Sequence, residues 1–578
     1  MSRNAEVAAR LEEYADLLAA QGDDYRPRSY RTAAENVRDH PRPIEDVVAD
    51  GDVQDIDGVG ESIGDKIAEY VETGEIEALE DAREELPVDV AGLTAVEGVG
   101  PKTVGKLYEA LGITDLDDLE RAAENGEIRG VEGFGETSER NIREGIEFAR
   151  RSRERTLLGE SRPLAEDALA HLRTVDAVET CEVAGSLRRW RETSGDVDVL
   201  AAAADRTAVV AAFTDWERAA EVIEAGETKA AVRVAGERVD LRVVAPSEWG
   251  AALQYFTGSR EHNVRLRNHA IDRDLKVNEY GVFDVAEVPD PDAGQRVGER
   301  VAGETEAGVY EALDCDWIPP ELREDRGEVA AAETGSLPDL VAESDVRGDL
   351  HVHSDWSDGD ASIAEMVDGA AAFGHDYVCI TDHAAGPGMV GGVGLGDDAL
   401  REQLDAVREA AAGADVTVFA GVEANVAADG SISVADDVLA ALDLVVASPH
   451  SGLEGDGTDR LVAAARHPEV DVIGHPTGRL LTRRPGLDVD TRRLAAVAAE
   501  EGVALEVNAN PHRLDLGGDG VREAVEAGAP VAVNTDAHSP GEYRTVTYGV
   551  HTARRGWAET SDVLNARDAD GLRAFLDG

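Results

Sequence analysis

The stretch RGDLHVHSDWSDG (347–359) sets two histidines one residue apart, directly after Asp349-Leu350. On a β-strand, alternation turns His351 and His353 to the same side, where the two imidazoles either grip a metal ion or stand unpartnered at the surface. The pair alone does not decide. Farther along, Asp358 ends the SDWSD turn and His383 closes TDH after the apolar run YVCI. Glu423 sits in AGVEANV, His450 in ASPHSG, His475 in IGHPTG, and Asp536 and His538 in VNTDAH. Each lies at or just beyond the C-terminal end of an apolar β-run, the face where a β/α barrel gathers its functional groups. Ten of the fourteen histidines fall in this part of the chain. His375, His467, His512 and His551, taken singly, read as core or surface residues. Nine potential ligands repeated at strand ends read as a metal site, and the mixed imidazole and carboxylate donors suit Zn²⁺, Mn²⁺ or Fe²⁺ better than Mg²⁺.

A second constellation is made of aspartates. Asp196 and Asp198 alternate in SGDVDVL, so their carboxylates face one side, and Asp240 lies in the β-run RVDLRVV. Brought together on adjacent strands, three carboxylates repel unless divalent cations sit between them, and hard carboxylate oxygens suit Mg²⁺ or Mn²⁺. Two such ions about 4 Å apart form the clamp for in-line phosphoryl transfer. In so acidic a chain an Asp-x-Asp pair on a solvent face is the plainer reading of Asp196 and Asp198 alone. Gly185-Ser186 and the arginines of LRRWR (187–191) stand just upstream, however, and together with GDVD they read as a triphosphate cradle beside a metal pair.

These groups sit in a chain of 578 residues, long enough for three to five domains. The formal charge of −63, with only five lysines (Lys66, Lys102, Lys106, Lys229 and Lys276), resembles cytosolic proteins of organisms that accumulate molar salt. Net charge of that kind is a weak witness on nucleic acid, because counterion release contributes little to DNA affinity in molar salt. The N-terminus reads as an amphipathic helix, and no run approaches the roughly 18 apolar residues that span a membrane. Three scattered cysteines make a disulfide framework or a cysteine zinc site unexpected, which points to a reducing, cytoplasmic compartment.

Residues 1–150 read as all-helical with a threefold internal repeat: DIDGVGESIGDKIAEYV (55–71), AVEGVGPKTVGKLYEAL (95–111) and GVEGFGETSERNIREGI (130–146). In each, a glycine pair (Gly58 and Gly60, Gly98 and Gly100, Gly133 and Gly135) permits a tight hairpin, and the following helix offers free backbone N–H groups. Such amides hold phosphate without net positive charge. Short β-runs between helices fill 157–245, 246–320 is mixed and loop-rich, 321–343 reads as a linker, and 344–578 alternates apolar β-runs with alanine-rich helices, the pattern of a parallel sheet or barrel.

The repeats resemble the helix-hairpin-helix motif. GSLRRWRETSGDVDVL (185–200) is similar to the nucleotidyltransferase signature of family X DNA polymerases, the group containing polymerase beta. LQYFTGSREHNVRLRNHA (253–270) and AGETEAGVYEALDCDWIPPELRE (302–324) resemble later polymerase segments of that family. The resemblance implies that Asp196 and Asp198 bind two metals, and that Asp240 binds the catalytic one and helps activate a primer 3′-hydroxyl. It gives Ser186, Arg189 and Gly195 the triphosphate and places Gly185 in the same turn. Tyr255, Phe256 and Gly258 then line the sugar site, Asn263 meets the base, and Arg267 senses the template strand. Trp190 departs from the glycine that often follows the arginine pair. Lys66 falls where related enzymes carry a Schiff-base lysine, but Lys106 holds the equivalent place in the second repeat, and a phosphate-side role accounts for both.

The barrel series resembles the PHP (polymerase and histidinol phosphatase) domain, a distorted seven-stranded β/α barrel with three metals. The resemblance implies one ion on His351, His353, Glu423 and Asp536, a second on Glu423, His450 and His475, and a third on Asp358, His383 and His538. Clustered cations generate hydroxide near neutral pH and stabilise charge on phosphate, so phosphodiester hydrolysis is expected. Arg479, Arg483 and Arg484 read either as guides for a DNA strand or as a solvated loop.

The expected architecture is therefore a lyase-like helical domain (1–85), a helical DNA-binding subdomain (86–156), an α+β nucleotidyltransferase palm (157–245), a thumb (246–320), a linker (321–343) and a PHP barrel (344–578). The expected function is monomeric DNA repair: gap filling on primer-template DNA from dNTPs, with 3′→5′ exonuclease and a further option of abasic-site cleavage. The rivals are a DNA-end scaffold with PHP phosphatase activity, and a small-molecule phosphatase fused to the rest.

Overall fold

The computed structural model describes residues 3–577 apart from 24, 40–41, 43, 52, 57, 95, 97, 137, 141, 144, 147–154, 292 and 389–392. The end of the expected DNA-binding subdomain, 147–154, thus lies outside the described residues. The chain divides into two compact units, one formed by Met1–Thr156 with Thr482–Arg484 and the other by Leu157–Leu481 with Pro485–Gly578.

The first unit is helical. Its opening helix, Arg3–Ala20, buries Val7, Leu11, Ala15 and Leu18, apolar positions three or four apart that make one stripe. The glycine pairs do what their spacing predicts. Gly58, Gly98 and Gly133 have φ of 72°, 79° and 95°, a region that a β-carbon disfavours. Gly60 and Gly100 are the N-caps of Glu61–Thr73 and Pro101–Leu111, with extended backbone and no capping side chain. Gly135 directly precedes the third helix, and its carbonyl accepts from the Glu139 N–H at 3.0 Å.

In the second unit a five-stranded sheet comes first: β1 (Thr180–Val183), β2 (Val197–Ala202), β3 (Glu221–Ala225), β4 (Lys229–Val234) and β5 (Glu237–Val244), in the order β1-β2-β5-β4-β3. Only β2 and β5 run parallel, and their register sets Asp198 opposite Asp240. Alternation sends Val197, Val199, Val239 and Leu241 to the opposite face, where they join a core with Leu164, Leu169 and Phe213 from the covering helices Leu158–Leu172 and Arg206–Thr214. Burial of each such side chain contributes roughly 1.5–3 kcal/mol.

The helices Trp249–Thr257 and Arg260–Ile271 and a three-stranded antiparallel sheet follow. Residues 321–343 are not the loose linker that their composition suggests. Leu322, Arg323, Glu328 and Val329 are buried, and a helix forms over Glu328–Thr334. The polar residues are internal because each finds a hydrogen-bonding partner. Arg323 Nη1 is 2.6 Å from Glu306 Oε1, and Glu328 Oε1 is 2.6 Å from His262 Nδ1.

The chain then forms seven parallel strands in sequence order: β6 (Gly348–Val352), β7 (Tyr377–Ile380), β8 (Thr417–Asn425), β9 (Leu444–Ser448), β10 (Val472–Ile473), β11 (Ala504–Asn508) and β12 (Val531–Asn534). Between first and last strands the Leu350 N–H donates to Asn534 Oδ1 at 3.2 Å and the His353 N–H to the Ala537 carbonyl at 2.8 Å, so the barrel is nearly closed.

No atom stands within contact of a β-carbon built on Gly98, so Gly98→Ala tests backbone conformation alone. The substitution is expected to lower the stability of the helical unit by about 1 kcal/mol in denaturant unfolding.

Candidate functional site

In the aspartate centre, β2 and β5 hold Asp198 and Asp240 side by side, with Asp196 exposed at the start of β2. Burial first, and then the charges of Asp196 and Asp240, push Asp198 up to about 7. Arg238 forks onto Asp240 at 2.6 and 2.8 Å and offsets part of the repulsion. Gly185 passes so close to Asp198, at φ 59°, that any β-carbon there would strike the carboxylate. Ser186 Oγ lies 2.5 Å from Ser194 Oγ, which donates to the Asp196 carbonyl at 2.6 Å, and Gly195 is exposed. The Gly-Ser turn therefore abuts the carboxylates, as expected from the sequence.

Two expected nucleotide contacts are otherwise engaged. Arg189 donates from Nε to Glu324 at 3.0 Å and from Nη1 to the Thr257 carbonyl at 2.7 Å, because a half-buried carboxylate lies within its reach. Asn263 donates to the carbonyls of Tyr255 (2.8 Å) and Gly258 (3.2 Å) and accepts from Gln254 at 3.0 Å, which closes the turn between two helices. Tyr255 and Phe256 meet edge to face at 5.1 Å, and Arg267 is exposed on the second helix. Arg188, read with its neighbours as part of the triphosphate cradle, instead forks onto Glu306 at 2.7 and 2.8 Å. Burial alone would raise Glu306, but Arg323 and Arg188 hold it down at about 2.

The barrel brings all nine expected ligands together. Glu423, fully buried on β8, has Oε1 2.9 Å from His475 Nε2, 3.2 Å from His450 Nε2 and 3.4 Å from His351 Nε2. Its Oε2 is 2.5 Å from His383 Nδ1. Asp358 lies 3.3 Å from His383 Nε2 and 3.4 Å from His538 Nε2, and Asp536 lies 3.1 Å from His353 Nε2. Among the described residues the donor atoms fall into three overlapping groups, and their sharing is wider than expected. His353 belongs both with Asp358, His383 and His538 and with His351 and Glu423, since its Nδ1 faces Asp358 (3.9 Å) while its Nε2 faces Asp536. His383 likewise joins Glu423 and His450. Several of these buried atoms have no hydrogen-bond partner: His351 Nε2, both nitrogens of His353, Glu423 Oε2 and His450 Nε2. Convergent buried donors left unpaired are what a set of metal ligands presents, so the residues fit divalent cations.

Groups around the ligands fix their orientation, and the sequence reading missed them. Glu506, fully buried on β11, has Oε1 2.7 Å from His351 Nδ1, and its Oε2 accepts from the His475 N–H at 2.6 Å. His450 Nδ1 is 2.7 Å from Asn425 Oδ1. Asp382 accepts from the N–H and hydroxyl of Ser354, each at 2.7 Å. Such partners set imidazole tautomer and aim. A lone glutamate inside the apolar run VALEVNA was the available signal for Glu506. His475 and Asp536 hold φ of 22° and 56°, strain of the kind that collects at functional sites.

Elsewhere, Arg479 points inward to Glu192 at 2.9 Å and to the Arg513 carbonyl at 2.9 Å, so it is structural rather than a guide for a strand. Lys66 is half-buried, with Nζ 3.2 Å from the Ser62 carbonyl. It borders a cavity of about 340 Å³ whose other charged lining residues are Glu61, Asp65, Glu69 and Glu77.

Burial alone would lower His383 and His538, but Glu423 and Asp358 raise His383 to about 10, and Asp358 and Asp536 raise His538 to about 9. Metal binding requires neutral imidazole. Loading Mn²⁺ or Zn²⁺ at pH 7 is therefore expected to release protons, with affinity rising from pH 7 to 9. Titration calorimetry in buffers of different ionisation enthalpy reads both. The raised Asp198 bears on stability, which it lowers as pH rises. Its folded state prefers the proton, so its penalty grows as pH rises from about 4 through 7. In metal-free protein at pH 8, Asp198→Asn is expected to raise stability by roughly 2 kcal/mol, as read by denaturant unfolding.

With this geometry established, the comparisons with known proteins are consistent along the chain. Residues 2–76 match a helix-hairpin-helix domain, 90–147 a SAM-like helix-hairpin-helix tandem, 252–324 the DNA polymerase beta thumb and 349–510 the PHP domain. The DNA polymerase/3′-5′ exonuclease PolX of Bacillus subtilis (strain 168) is 34% identical over 581 residues, covering 99% of each chain. DNA polymerase lambda of Rattus norvegicus is 25% identical over 342 residues, 56% of each. A probable phosphatase of Caldanaerobacter subterraneus is 32% identical over 205 residues, 33% of this chain and 75% of its own. Helical hairpins, thumb, barrel and a full-length relative converge, and the chain belongs to the family X DNA polymerases that carry a PHP domain.

Proposed function

We propose that this chain is a DNA repair polymerase that fills short gaps on primer-template DNA from dNTPs and trims 3′ ends by 3′→5′ hydrolysis in its barrel. The observation that carries the reading is the in-register pair Asp198 and Asp240 beneath the Gly185-Ser186 turn, in a chain whose barrel gathers a separate imidazole-rich cluster. The working parts are a lyase-like domain (1–85), a DNA-binding subdomain (86–156), a palm (157–245), a thumb (246–320, its fold continued by 321–343) and the barrel (344–578). Three buried free cysteines suit a reducing cytoplasm, no described helix is long and apolar enough to cross a membrane, and we take the enzyme to act as a monomer.

In the palm, Asp196, Asp198 and Asp240 would hold Mg²⁺ or Mn²⁺, which when bound supplies charge stabilisation for phosphoryl transfer. Ser186 and Gly195 offer donors to the triphosphate, and Arg189 reaches it by exchanging Glu324 for a phosphate oxygen. Asp240 accepts the proton of the primer hydroxyl. Tyr255, Phe256 and Gly258 shape the sugar pocket, Asn263 is freed to the base edge when the helix turn opens, and Arg267 meets the template. Gly58, Gly60, Gly98, Gly100, Gly133 and Gly135 shape the amide turns that grip the DNA backbone, with Lys66 and Lys106 beside two of them. In the barrel, His351, His353, Asp358, His383, Glu423, His450, His475, Asp536 and His538 would hold three ions of the Zn²⁺, Mn²⁺ or Fe²⁺ class. Glu506 and Asn425 keep the ligating imidazoles aimed.

A primer-extension and degradation assay on gapped DNA, run from low to molar salt, tests the reading. Asp198→Ala is expected to lose extension by about 10²-fold or more and keep degradation, and His353→Ala the reverse. If the wild type showed neither activity at any salt concentration, a DNA-end scaffold would be the better account.

A further inference from the structure

The nucleotide loop has a second side. Its front, Gly185-Ser186, abuts Asp198, and the Arg191 N–H donates to the Ser186 carbonyl at 3.0 Å, so residues 186–191 close into one turn. Trp190 sits in that turn at φ 53°, a conformation suited to glycine and costly for a bulky side chain. Its packing offsets the cost. The indole lies flat on His551, with ring centroids 3.6 Å apart and planes 4° from parallel, and Arg162 covers the ring at 4.4 Å. Tyr548 meets it edge-on at 6.0 Å, and Arg555 donates to the Trp190 carbonyl at 3.2 Å. His551, Tyr548 and Arg555 all belong to the barrel helix Val546–Arg555. His551 is itself held, with Nδ1 2.7 Å from Glu321, which also takes Arg554 at 2.7 Å. Two residues after Trp190, Glu192 meets Arg479 of the barrel at 2.9 Å. The turn that would cradle triphosphate is thus fixed from behind by the domain that carries the other active centre.

We propose that Trp190 is a positioning residue for nucleotide binding, and that through its stack on His551 the PHP barrel sets the shape, and so the affinity, of the polymerase's triphosphate turn. The inference rests on the polymerase reading above. Replacing the indole unties the backbone-closed turn from the barrel helix behind it, so binding should weaken while the metal carboxylates, and hence the chemical step, stay in place.

The test uses the full-length protein. Equilibrium titration of dNTP with Mg²⁺ gives nucleotide affinity, primer extension gives KM and kcat, and degradation of single-stranded DNA reports the barrel. Trp190→Gly and His551→Ala are each expected to weaken nucleotide binding and raise KM about tenfold, the size of a lost aromatic stack with its cation contact, with kcat and degradation within about threefold of wild type. Trp190→Phe and His551→Phe, which keep stacked rings, should restore affinity, and the double variant should be no worse than either single one, as expected for two halves of one contact. If Trp190→Gly does not fold, His551→Ala and the phenylalanine variants decide the matter. The proposal is overturned if nucleotide affinity is unchanged, or if affinity, degradation and melting temperature all fall together. A wild type that binds nucleotide without incorporating it would sink the polymerase reading and leave this one decided by the titration, and a wild type that binds none would sink both.

Discussion

Like charges do not gather in a folded chain without something to hold them, and both centres of this protein are built around that constraint. In the palm, parallel pairing of β2 with β5 forces the carboxylates of Asp198 and Asp240 onto neighbouring positions of one face. The opposite face of the same strands is packed core, so neither side chain can turn away without exposing Val197, Val199, Val239 and Leu241. The strain appears as an Asp198 carboxyl that resists ionisation and as an arginine forked onto Asp240. A pair of hard cations relieves it better than either device. The same constraint explains Gly185, since the turn must approach the carboxylates more closely than any side chain permits.

The barrel solves the problem by a different arrangement. One fully buried carboxylate, Glu423, is ringed by imidazoles from four points on the chain, and the imidazoles are turned by an outer layer of Glu506, Asn425 and main-chain contacts. Parallel strands in sequence order bring their C-terminal ends to one mouth, so residues almost two hundred apart in sequence become neighbours without any long loop. Imidazole makes this donor set softer than the palm's oxygen-only one.

The chain carries a formal charge of −63, yet several arginines are engaged by internal carboxylates: Arg188 and Arg323 on Glu306, Arg189 on Glu324, Arg479 on Glu192. Such pairs lock elements together and leave less positive charge for the surface. Backbone amides at helix N-termini are then an economical way to hold a phosphate backbone, because their dipoles do not depend on net charge. The first two hairpins, with a left-handed glycine followed by an extended one, present such amides, and Gly133 is left-handed in the third.

What could be read from the sequence was whatever depends on near neighbours. Strand alternation put His351 with His353 and Asp196 with Asp198, the position of a ligand at the end of an apolar run placed nine side chains at the barrel mouth, and glycine spacing marked the hairpins, because period and backbone freedom are local properties. The partners of long charged side chains were decided only in three dimensions. Arg479 read as a guide for a DNA strand or part of a solvated loop and is a half-buried strut, residues 321–343 looked like a polar linker and are packed by Arg323 and Glu328, and Arg189 is held by a carboxylate 135 positions away. Glu506 passed as one more acid in an acidic chain until the fold set it against His351, and His353 proved to serve two groups because its two nitrogens face different carboxylates. Trp190 read as an irregularity in a motif, and only the packed barrel helix behind it gives that bulk a surface to rest on. Local geometry follows from residue type and spacing, whereas a charge or a ring takes its meaning from what the rest of the chain brings within a few ångströms of it.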